Sequence, residues 1–442
     1  MIVSAGRYTC RFLLGVVLVF SGFVKAVDPM GTSIKLEEYL DAFGMADIFY
    51  DWLILLAAMA LAALEFAIGV YLTIGIRRKV ASTVALILMS IMTPLTLYLW
   101  IADPVSDCGC FGDALVLTNA ETFFKNLVLW GMAYVTFRWK RQMKRLITPK
   151  SDWLITLYTM LFGLMLSAYC LRHLPIIDFR PYRIGVNIPQ AMTIPEGATP
   201  DRWESRFIME KDGVRRTFTL ENYPDSTWTH ISTESMLKQK GYQPAIHDFS
   251  IQRMEDGEEI TDSLLNAPGY TFLLIVPYIE KADDSNIDLI NEIYDYCVEH
   301  QYGFIALTAS PREEVEMWCE RTGGEYPFGL MDDVTLKTMI RSNPGLILLK
   351  QGTIYNKWSN ASLPDEYQLT DRLEHIPLGE LQVRDDKQTL GYVLLWFMVP
   401  LSLITLLDAL WIRKRKPQQQ QEATTARDKR GNEKKTETDT IQ

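Results

Sequence analysis

Two cysteines separated by a single glycine have the spacing in this chain that best supports chemistry. They lie in the segment 107–113, which reads DCGCFGD. A disulfide across one intervening residue closes a strained ring, and Gly109 supplies the backbone freedom that this ring requires. A strained disulfide is easily reduced, which suits a carrier that passes oxidising equivalents onward. The segment therefore predicts a redox-active pair, Cys108 and Cys110, with a static disulfide or half of a metal site as open alternatives.

Two other residues are candidates for the same chemistry. Cys170 ends an apolar run at about the depth predicted for the pair, so it is a candidate resolving thiol, with a buried structural thiol as the alternative. Glu65 lies in the middle of another apolar run, where an ionisable group is expensive to bury. We expect Glu65 to face the interior of a bundle as an intramembrane relay. Lys25, near the end of the first run, is expected to reach the membrane interface.

The elements that must position these residues are apolar runs long enough to suggest membrane helices. A helix needs about 20 apolar residues to cross a bilayer core. Six runs are candidates: 12–27, 52–76, 80–101, 122–137, 153–171 and 390–411. They predict a multi-pass α-helical bundle with the lipid bilayer as a partner.

Basic residues give this bundle an expected orientation. They cluster at Arg7 and Arg11, at 77–79, at 138–145 and at 413–416, and six crossings bring all four clusters to one side. The positive-inside rule makes that side the cytoplasm. Both termini are then cytoplasmic in a bacterial inner membrane, whereas the 28–50 loop, the 102–119 loop and residues 172–388 are extracytoplasmic. The polar segment 413–442 is expected to be a disordered tail.

Several motifs together resemble the DoxX/MauE group of four-helix membrane proteins. They are 21–29 (SGFVKAVDP), Glu65 with Gly69 and Gly75, the cysteine segment, and Lys125 with Asn126. The resemblance implies a four-helix domain over 1–145. The fifth span, assigned to 146–172, exceeds that family pattern, as do the sixth span and the soluble region. The resemblance also implies a role in membrane redox processes, with MauE itself linked to maturing a disulfide-rich methylamine dehydrogenase subunit. Whether this chain has any link to methylamine stays open, because proteins that share a fold can act on different substrates.

The region between the fifth and sixth spans has the composition of a soluble protein. The chain has a net charge of −10, and the excess of acidic residues falls in this region, which argues against a nucleic-acid partner. Alternation around Asp212-Gly213 predicts a hairpin of 205–210 with 214–221, within a β-rich linker subdomain over 173–244. From 245 to 388, strands 271–276 and 303–309 alternate with helices 287–300 and 311–322, before a hairpin of 345–350 with 353–358. The sixth span is assigned to 389–412.

This order of elements resembles the thioredoxin superfamily, with 342–345 at the position of its cis-proline loop. A catalytic thioredoxin carries Cys-x-x-Cys after its first central strand, where the helix N-terminus activates the thiol. Here 276–282 reads VPYIEKA. We therefore expect this α/β domain to bind a client or redox partner without exchanging thiols itself. Cys297 and Cys319 are expected to be buried structural thiols on opposite faces of the sheet, and the scattered histidines predict no metal site.

Two functions of different classes follow from these residues. The preferred one is a membrane-bound thiol-disulfide redox protein that supports extracytoplasmic disulfide formation or redox maturation. The alternative is a non-enzymatic membrane scaffold or assembly factor in which the cysteine pair forms a structural disulfide. The sequence names neither client nor electron acceptor; a quinone would fit chemically, but no residue pattern marks a site for one.

Overall fold

The computed structural model describes residues 2–410 apart from 46–47, 106–107, 143–147, 149–150, 196, 198, 200–201, 212–213, 220–221, 223–226, 240, 243 and 248. The chain divides into two compact units, Met1–Phe179 with Arg384–Gln442, and Arg180–Val383. The predicted tail 413–442, its basic cluster, Asp107 and the predicted turn at 212–213 lie outside the described residues.

The first unit is a bundle of long helices. Its helices are α1 (Ile2–Val27), α2 (Pro29–Ala42), α3 (Asp51–Ile74), α4 (Arg78–Ala102), α5 (Asn119–Arg138), α6 (Asp152–His173) and a final helix (Asp386–Leu410). Buried apolar side chains from α1, α3, α4, α5, α6 and the final helix form one continuous core. The short helix α2 occupies the stretch between the first two apolar runs, where the sequence predicts only a loop.

Five of these helices are long and apolar enough to cross a membrane: 5–27, α3, α4, α6 and the final helix. The chain is therefore a multi-pass membrane protein. Helix α5 falls outside this group because Lys125, Asn126 and Glu121 interrupt its apolar sequence. Its 20 residues correspond to about 30 Å at 1.5 Å per residue, which matches a bilayer core. It also packs against α1 and α4, so it belongs to the bundle.

Glycines set the closest helix crossing in the bundle, between α1 and α3. A methyl group added at Gly22 would lie 2.3 Å from the backbone nitrogen of Phe66, and one added at Gly69 would lie 2.5 Å from that of Val19. No side chain fits at such distances, so the two backbones meet directly. This approach brings polar side chains of α1 within hydrogen-bonding reach of α3.

Basic residues gather at one end of the bundle. The Arg7 guanidinium lies 4.4 Å from the centroid of the Trp139 ring and donates from Nη1 to Oε1 of Gln142 at 2.6 Å. Arg11 lies near Arg78 at the start of α4. The turn between α3 and α4 is therefore at the same end as the start of α1 and the end of α5. The opposite end carries α2 and the 103–118 segment.

The second unit contains two sheets. Strands β1 (Arg202–Lys211), β2 (Val214–Thr219) and β3 (Thr229–Gln239) form an antiparallel sheet in the order β2-β1-β3. The predicted hairpin corresponds to β1 and β2, and β3 extends it. The six-stranded sheet follows the order β4-β7-β6-β5-β8-β9. Its strands are β4 (Gln252–Arg253), β5 (Tyr270–Ile275), β6 (Gly303–Thr308), β7 (Phe328–Leu330), β8 (Gly345–Lys350) and β9 (Thr353–Ser359).

This larger sheet has the topology of a thioredoxin-like domain. Strands β5, β6 and β7 are parallel, whereas β8 and β9 are antiparallel and close the sheet as a hairpin. Helix α7 (Ile188–Met192) precedes β1, and the helices between strands of the larger sheet are α8 (Thr261–Leu265), α9 (Ile287–His300), α10 (Arg312–Thr322) and α11 (Asp333–Met339). The Asn343–Pro344 peptide bond before β8 is cis, at the predicted position.

The predicted placement of Cys297 and Cys319 on opposite faces of the sheet is wrong. Cys297 of α9 is fully buried in the core that also contains Trp318 of α10, and Cys319 packs against the same core. The chain moves in one direction from β5 to β6 to β7, so two successive right-handed crossovers place α9 and α10 on the same face. Both thiols are packed among apolar side chains, and burial raises the pKa of each.

Candidate redox site in the helical bundle

The two predicted redox cysteines lie side by side in the segment between α4 and α5. Their Sγ atoms are 2.7 Å apart, and both residues are free thiols. A disulfide bond is about 2.05 Å long, so the two sulfurs need to move little when the pair is oxidised. Gly109, between them, has φ +58°, which is the left-handed conformation expected of this glycine. The backbone therefore already holds the pair in a conformation close to that of a ring-closed disulfide.

Helix α2 covers this pair. The Tyr39 hydroxyl donates a hydrogen bond to the carbonyl of Cys108, and the aliphatic stem of Lys35 lies directly over Gly109. Cys108 is 7% exposed and packs with Leu99 in a small apolar cluster beneath α2. A partner that reaches Cys108 must therefore displace α2 or the cysteine segment. The start of α2 is fixed by Asp28, whose side chain accepts a hydrogen bond from the amide of Gly31 at 2.8 Å.

A buried polar network lies directly beneath Cys110. Lys25 Nζ donates to Glu65 Oε2 at 2.7 Å and to Ser21 Oγ at 2.9 Å. Ser21 Oγ lies 2.8 Å from Glu65 Oε2 and 2.9 Å from the carbonyl oxygen of Cys110, and its hydroxyl proton can be donated to either. The prediction that Lys25 reaches the interface is wrong, because its side chain is only 8% exposed and is paired with Glu65. Glu65 is buried at the α1–α3 crossing, and its relay role stays a prediction.

A small cavity connects this network to α5. It measures about 30 Å³ as space open to the centre of a water molecule, and its polar lining includes Ser21, Lys25, Glu65, Lys125 and Asn126. That volume holds one or two waters, and it is far below the roughly 300–1,000 Å³ of typical small-molecule pockets. It is therefore not sized for a quinone ring. Cys110 also lines this cavity.

Lys125 contributes a second cation to the cavity. Its Nζ lies 4.1 Å from the centroid of the Phe111 ring. Within the described part of the chain, no carboxylate forms an ion pair with Lys125. Glu65 balances Lys25, so the described residues that line the cavity carry one positive charge in excess when Cys110 is a thiol. If Cys110 is a thiolate, the net charge of Lys25, Glu65, Lys125 and Cys110 is zero.

The environment makes the two thiols unequal. The hydrogen bond from the Cys108 thiol stabilises a thiolate at Cys110, and the nearby cations Lys125 and Lys25 do the same. Together they outweigh the opposing effect of burial and lower the pKa of Cys110 to about 6. The same hydrogen bond, together with burial, raises the pKa of Cys108. Cys110 is therefore the sulfur of the pair that more readily carries negative charge. A sulfur with a low pKa is also the better leaving group in thiol-disulfide exchange.

Cys170 does not join this constellation in the described structure. It is 1% exposed at the end of α6, where its surroundings include the backbone amide of Ile176 and the carboxylate of Asp28. Cys170 is not among the residues that line the cavity, nor is it part of the apolar cluster around Cys108. Its resolving role stays a prediction, which would require a conformational change.

The thioredoxin-like unit carries a hydrogen-bonded cluster at the position of the missing Cys-x-x-Cys. The Tyr278 hydroxyl donates to Asp333 Oδ2 at 2.5 Å, and Lys337 Nζ donates to both groups, at 3.0 and 2.9 Å. Asn343, before the cis-proline, donates to the carbonyl of Tyr278 at 2.8 Å. These contacts fix the loop after β5 without any thiol.

Sequence reasoning found the cysteine pair and Glu65 but missed three contributors. Ser21 and Lys125 were noted only as parts of family motifs, and Tyr39 was not noted. A usable signal for Lys125 was present, because it is an ionisable residue within an apolar run. Tyr39 lies on a helix that has no apolar run, so the sequence offered no comparable signal.

Comparisons with known proteins agree with this division of the chain. Residues 3–138 match the family model of Methylamine utilisation protein MauE, and residues 203–240 match a domain of unknown function, DUF8463. No curated protein sequence matches the chain. The bundle formed by the first 138 residues is thus MauE-like, as the motifs predict.

Solved structures similar to the chain include two thiol-chemistry proteins. A candidate protein disulfide isomerase from Bacteroides thetaiotaomicron has 20% identity and a TM-score of 0.23, covering 27% of this chain and 77% of that one. Peroxidoxin BcpB from Mycobacterium tuberculosis has 14% identity and a TM-score of 0.23, covering 32% of this chain and 96% of that one. The strand order of the six-stranded sheet assigns the thioredoxin-like fold independently of these scores.

Proposed function

We propose that this protein is a membrane-bound thiol-disulfide redox protein, in which Cys108 and Cys110 exchange a disulfide with a protein dithiol on the extracytoplasmic side. The observation that carries the proposal is the placement of two free thiols 2.7 Å apart above a buried Ser21–Lys25–Glu65 network. A static disulfide has no need of buried charged groups beneath it, whereas a pair that cycles through a thiolate does.

The exchange follows from the inequality of the two sulfurs. A client thiolate attacks Sγ of Cys108, the Cys108–Cys110 bond breaks, and its electron pair stays on Cys110 as a thiolate. A second client thiolate then attacks the client sulfur of the mixed disulfide, so that Cys108 leaves and takes up a proton. The client has lost two electrons to the pair and gained a disulfide. Cys110 leaves first because its thiolate is the better stabilised.

Sidedness is supported by the ends of the bundle. Arg7, Arg11 and Arg78 lie at one end, and the cysteine segment follows the far end of α4. The positive-inside rule assigns the basic end to the cytoplasm. We place the cysteine pair on the opposite side, in an oxidising compartment. The thioredoxin-like unit, without a Cys-x-x-Cys, serves in this proposal as a docking module for the client or redox partner.

Trapping tests the proposed exchange. In a Cys110→Ser variant the exchange can run only in reverse, as Cys108 attacks the disulfide of an oxidised client and the second client sulfur leaves as a thiolate. Without Cys110 to attack Cys108 and release the client, this mixed disulfide should accumulate and be visible as a reducible high-mass species. Cys108→Ser is the matched control and should trap much less. If neither variant traps a partner, and cells that carry them form disulfides normally, the carrier function is wrong.

The scaffold alternative is favoured by one observation, the closed Tyr278–Asp333–Lys337 cluster where catalytic thiols would lie. In that case the cysteine pair is a structural disulfide. Structural disulfides have reduction potentials below about −300 mV, whereas a working carrier is more oxidising. Measuring the potential of Cys108–Cys110 against glutathione buffers separates the two functions.

A further inference from the structure

We propose that Lys125 is the positioning residue that holds the Cys110 sulfur as a thiolate when the disulfide is opened. This role rests on the proposed redox function. It makes Lys125 the group that causes Cys110, rather than Cys108, to leave first when a client attacks the disulfide. Lys125 is half-buried on α5, in contact with Phe111, which follows Cys110 directly. No reaction of Lys125 itself is involved, because the ammonium acts through its charge.

The charges around Cys110 single out Lys125. Glu65 neutralises Lys25 at 2.7 Å, so that ion pair contributes little net charge. Among the described residues that line the cavity with Cys110, Lys125 is then the cation without a neighbouring carboxylate. Among the described residues, the titratable groups that act on Cys110 are Lys25 on α1, Glu65 on α3, Lys125 on α5 and Cys108 in its own segment. The covering helix α2 adds Tyr39, whose hydroxyl is bonded to the Cys108 carbonyl, and Lys35, whose ammonium pairs with Glu38.

The contact with Phe111 explains how a flexible side chain is kept in place. An ammonium over an aromatic face is attracted by the ring quadrupole, which restrains Nζ beside the cysteine segment. Phe111 directly follows Cys110, so this contact holds the ammonium on the cavity that Cys110 lines. Opening the disulfide places negative charge on Cys110 and removes the charge imbalance of the cavity.

The test uses the reduced full-length protein in lipid nanodiscs, with Lys125→Met and Lys125→Arg variants. Methionine keeps a favourable contact with the Phe111 ring but removes the charge, whereas arginine keeps the charge. Lys140→Met is the matched control, because Lys140 lies 3.5 Å from the Phe137 ring centroid, beyond the other end of α5 and far along the chain from the cysteines. Thermal melting of each variant checks that the fold is retained.

The first readout is the pH dependence of iodoacetamide alkylation at Cys110, resolved by mass spectrometry. The thiolate is the reactive form, so in the unsubstituted protein alkylation should rise with a midpoint near pH 6. Lys125→Met should shift this midpoint upward by about one pH unit, a tenfold loss of thiolate below the midpoint. Lys125→Arg should retain most of the normal profile, and Lys140→Met should leave it unchanged.

The second readout is the redox equilibrium with glutathione. Loss of a thiolate-stabilising charge disfavours the dithiol form, so Lys125→Met should make the pair about tenfold harder to reduce. A normal pH profile and a normal equilibrium in folded Lys125→Met would overturn the inference, as would an equal shift in Lys140→Met. If the profile shifts but no Cys108 mixed disulfide can be trapped, the inference holds and the proposed client exchange fails.

Discussion

Replacing Glu65 with Gln tests whether the buried ion pair with Lys25 is the main electrostatic support of the α1–α3 crossing. The two side chains are 8% and 4% exposed, and the Nζ–Oε2 distance is 2.7 Å. At an effective dielectric constant of about 20, their attraction is about 6 kcal/mol before desolvation is subtracted. Gln keeps the shape of Glu but leaves the Lys25 ammonium buried without a counter-charge.

The expected loss is about 3–5 kcal/mol of stability, because breaking a buried pair leaves an uncompensated charge. For a bundle of this size that loss corresponds to a decrease in Tm of about 10 °C. Removing both charges together should be far less damaging, since a hydrophobic pair of similar volume also satisfies the site. The double variant Lys25→Met with Glu65→Leu should therefore recover most of the lost Tm.

The assay is thermal melting in lipid nanodiscs, with unfolding monitored by circular dichroism. Glu38→Gln is the matched control, because Glu38 pairs with Lys35 at a similar distance of 2.8 Å, with side chains 26% and 38% exposed. A surface pair contributes at most about 1 kcal/mol, so this control should melt almost normally. The reasoning is refuted if Glu65→Gln melts like the unsubstituted protein, or if the double variant melts no higher than Glu65→Gln.

Three other predictions concern packing and the soluble unit. Gly69→Ala should destabilise the bundle by several kcal/mol, because its methyl group would lie 2.5 Å from backbone, whereas Gly131→Ala meets nothing within 4 Å and should leave Tm unchanged. The pair Cys297→Ala and Cys319→Ala should preserve trapping of mixed disulfides in full, so a loss in a folded variant would contradict their structural assignment. Asp408→Leu should cost about 1–3 kcal/mol and accelerate hydrogen exchange in the final helix, because its carboxylate accepts the hydrogen bonds at the start of α6. Normal exchange in that helix would argue against this role.

The sequence predicted the long apolar helices and most elements of the larger sheet, but it missed β3, an 11-residue strand. The six apolar runs all form helices, and the observed α9 covers the predicted residues 287–300. Short elements were missed, because β7 has only three residues and no pattern of its own. Helix α2 was missed because its polar side chains interrupt any apolar run, although Asp28-Pro29 is a typical helix start.

For the site residues, the sequence predicts how deep each one lies in the membrane but not which residues it contacts. The position of a residue along a span follows from counting, but the face it occupies depends on which helices cross and where. Lys25 was therefore expected to reach the interface, whereas the α1–α3 crossing brings it to Glu65, 40 residues later in the chain. The cysteine pair was predictable because both thiols lie in one short segment. Cys170, on another helix, shows that similar depth does not imply contact.

The direct backbone contact of α1 and α3 restricts how this protein can change shape while it works. The backbone at Gly22 lies directly against that of Phe66, and the backbone at Gly69 lies directly against that of Val19, so the two helices are in register at two points. A slide of either helix by one turn would drive a side chain into the gap that only a glycine fits. We therefore expect exposure of the sulfurs to come from movement of the covering helix α2 and of the cysteine segment, while Lys25 and Glu65 beneath them stay at fixed positions.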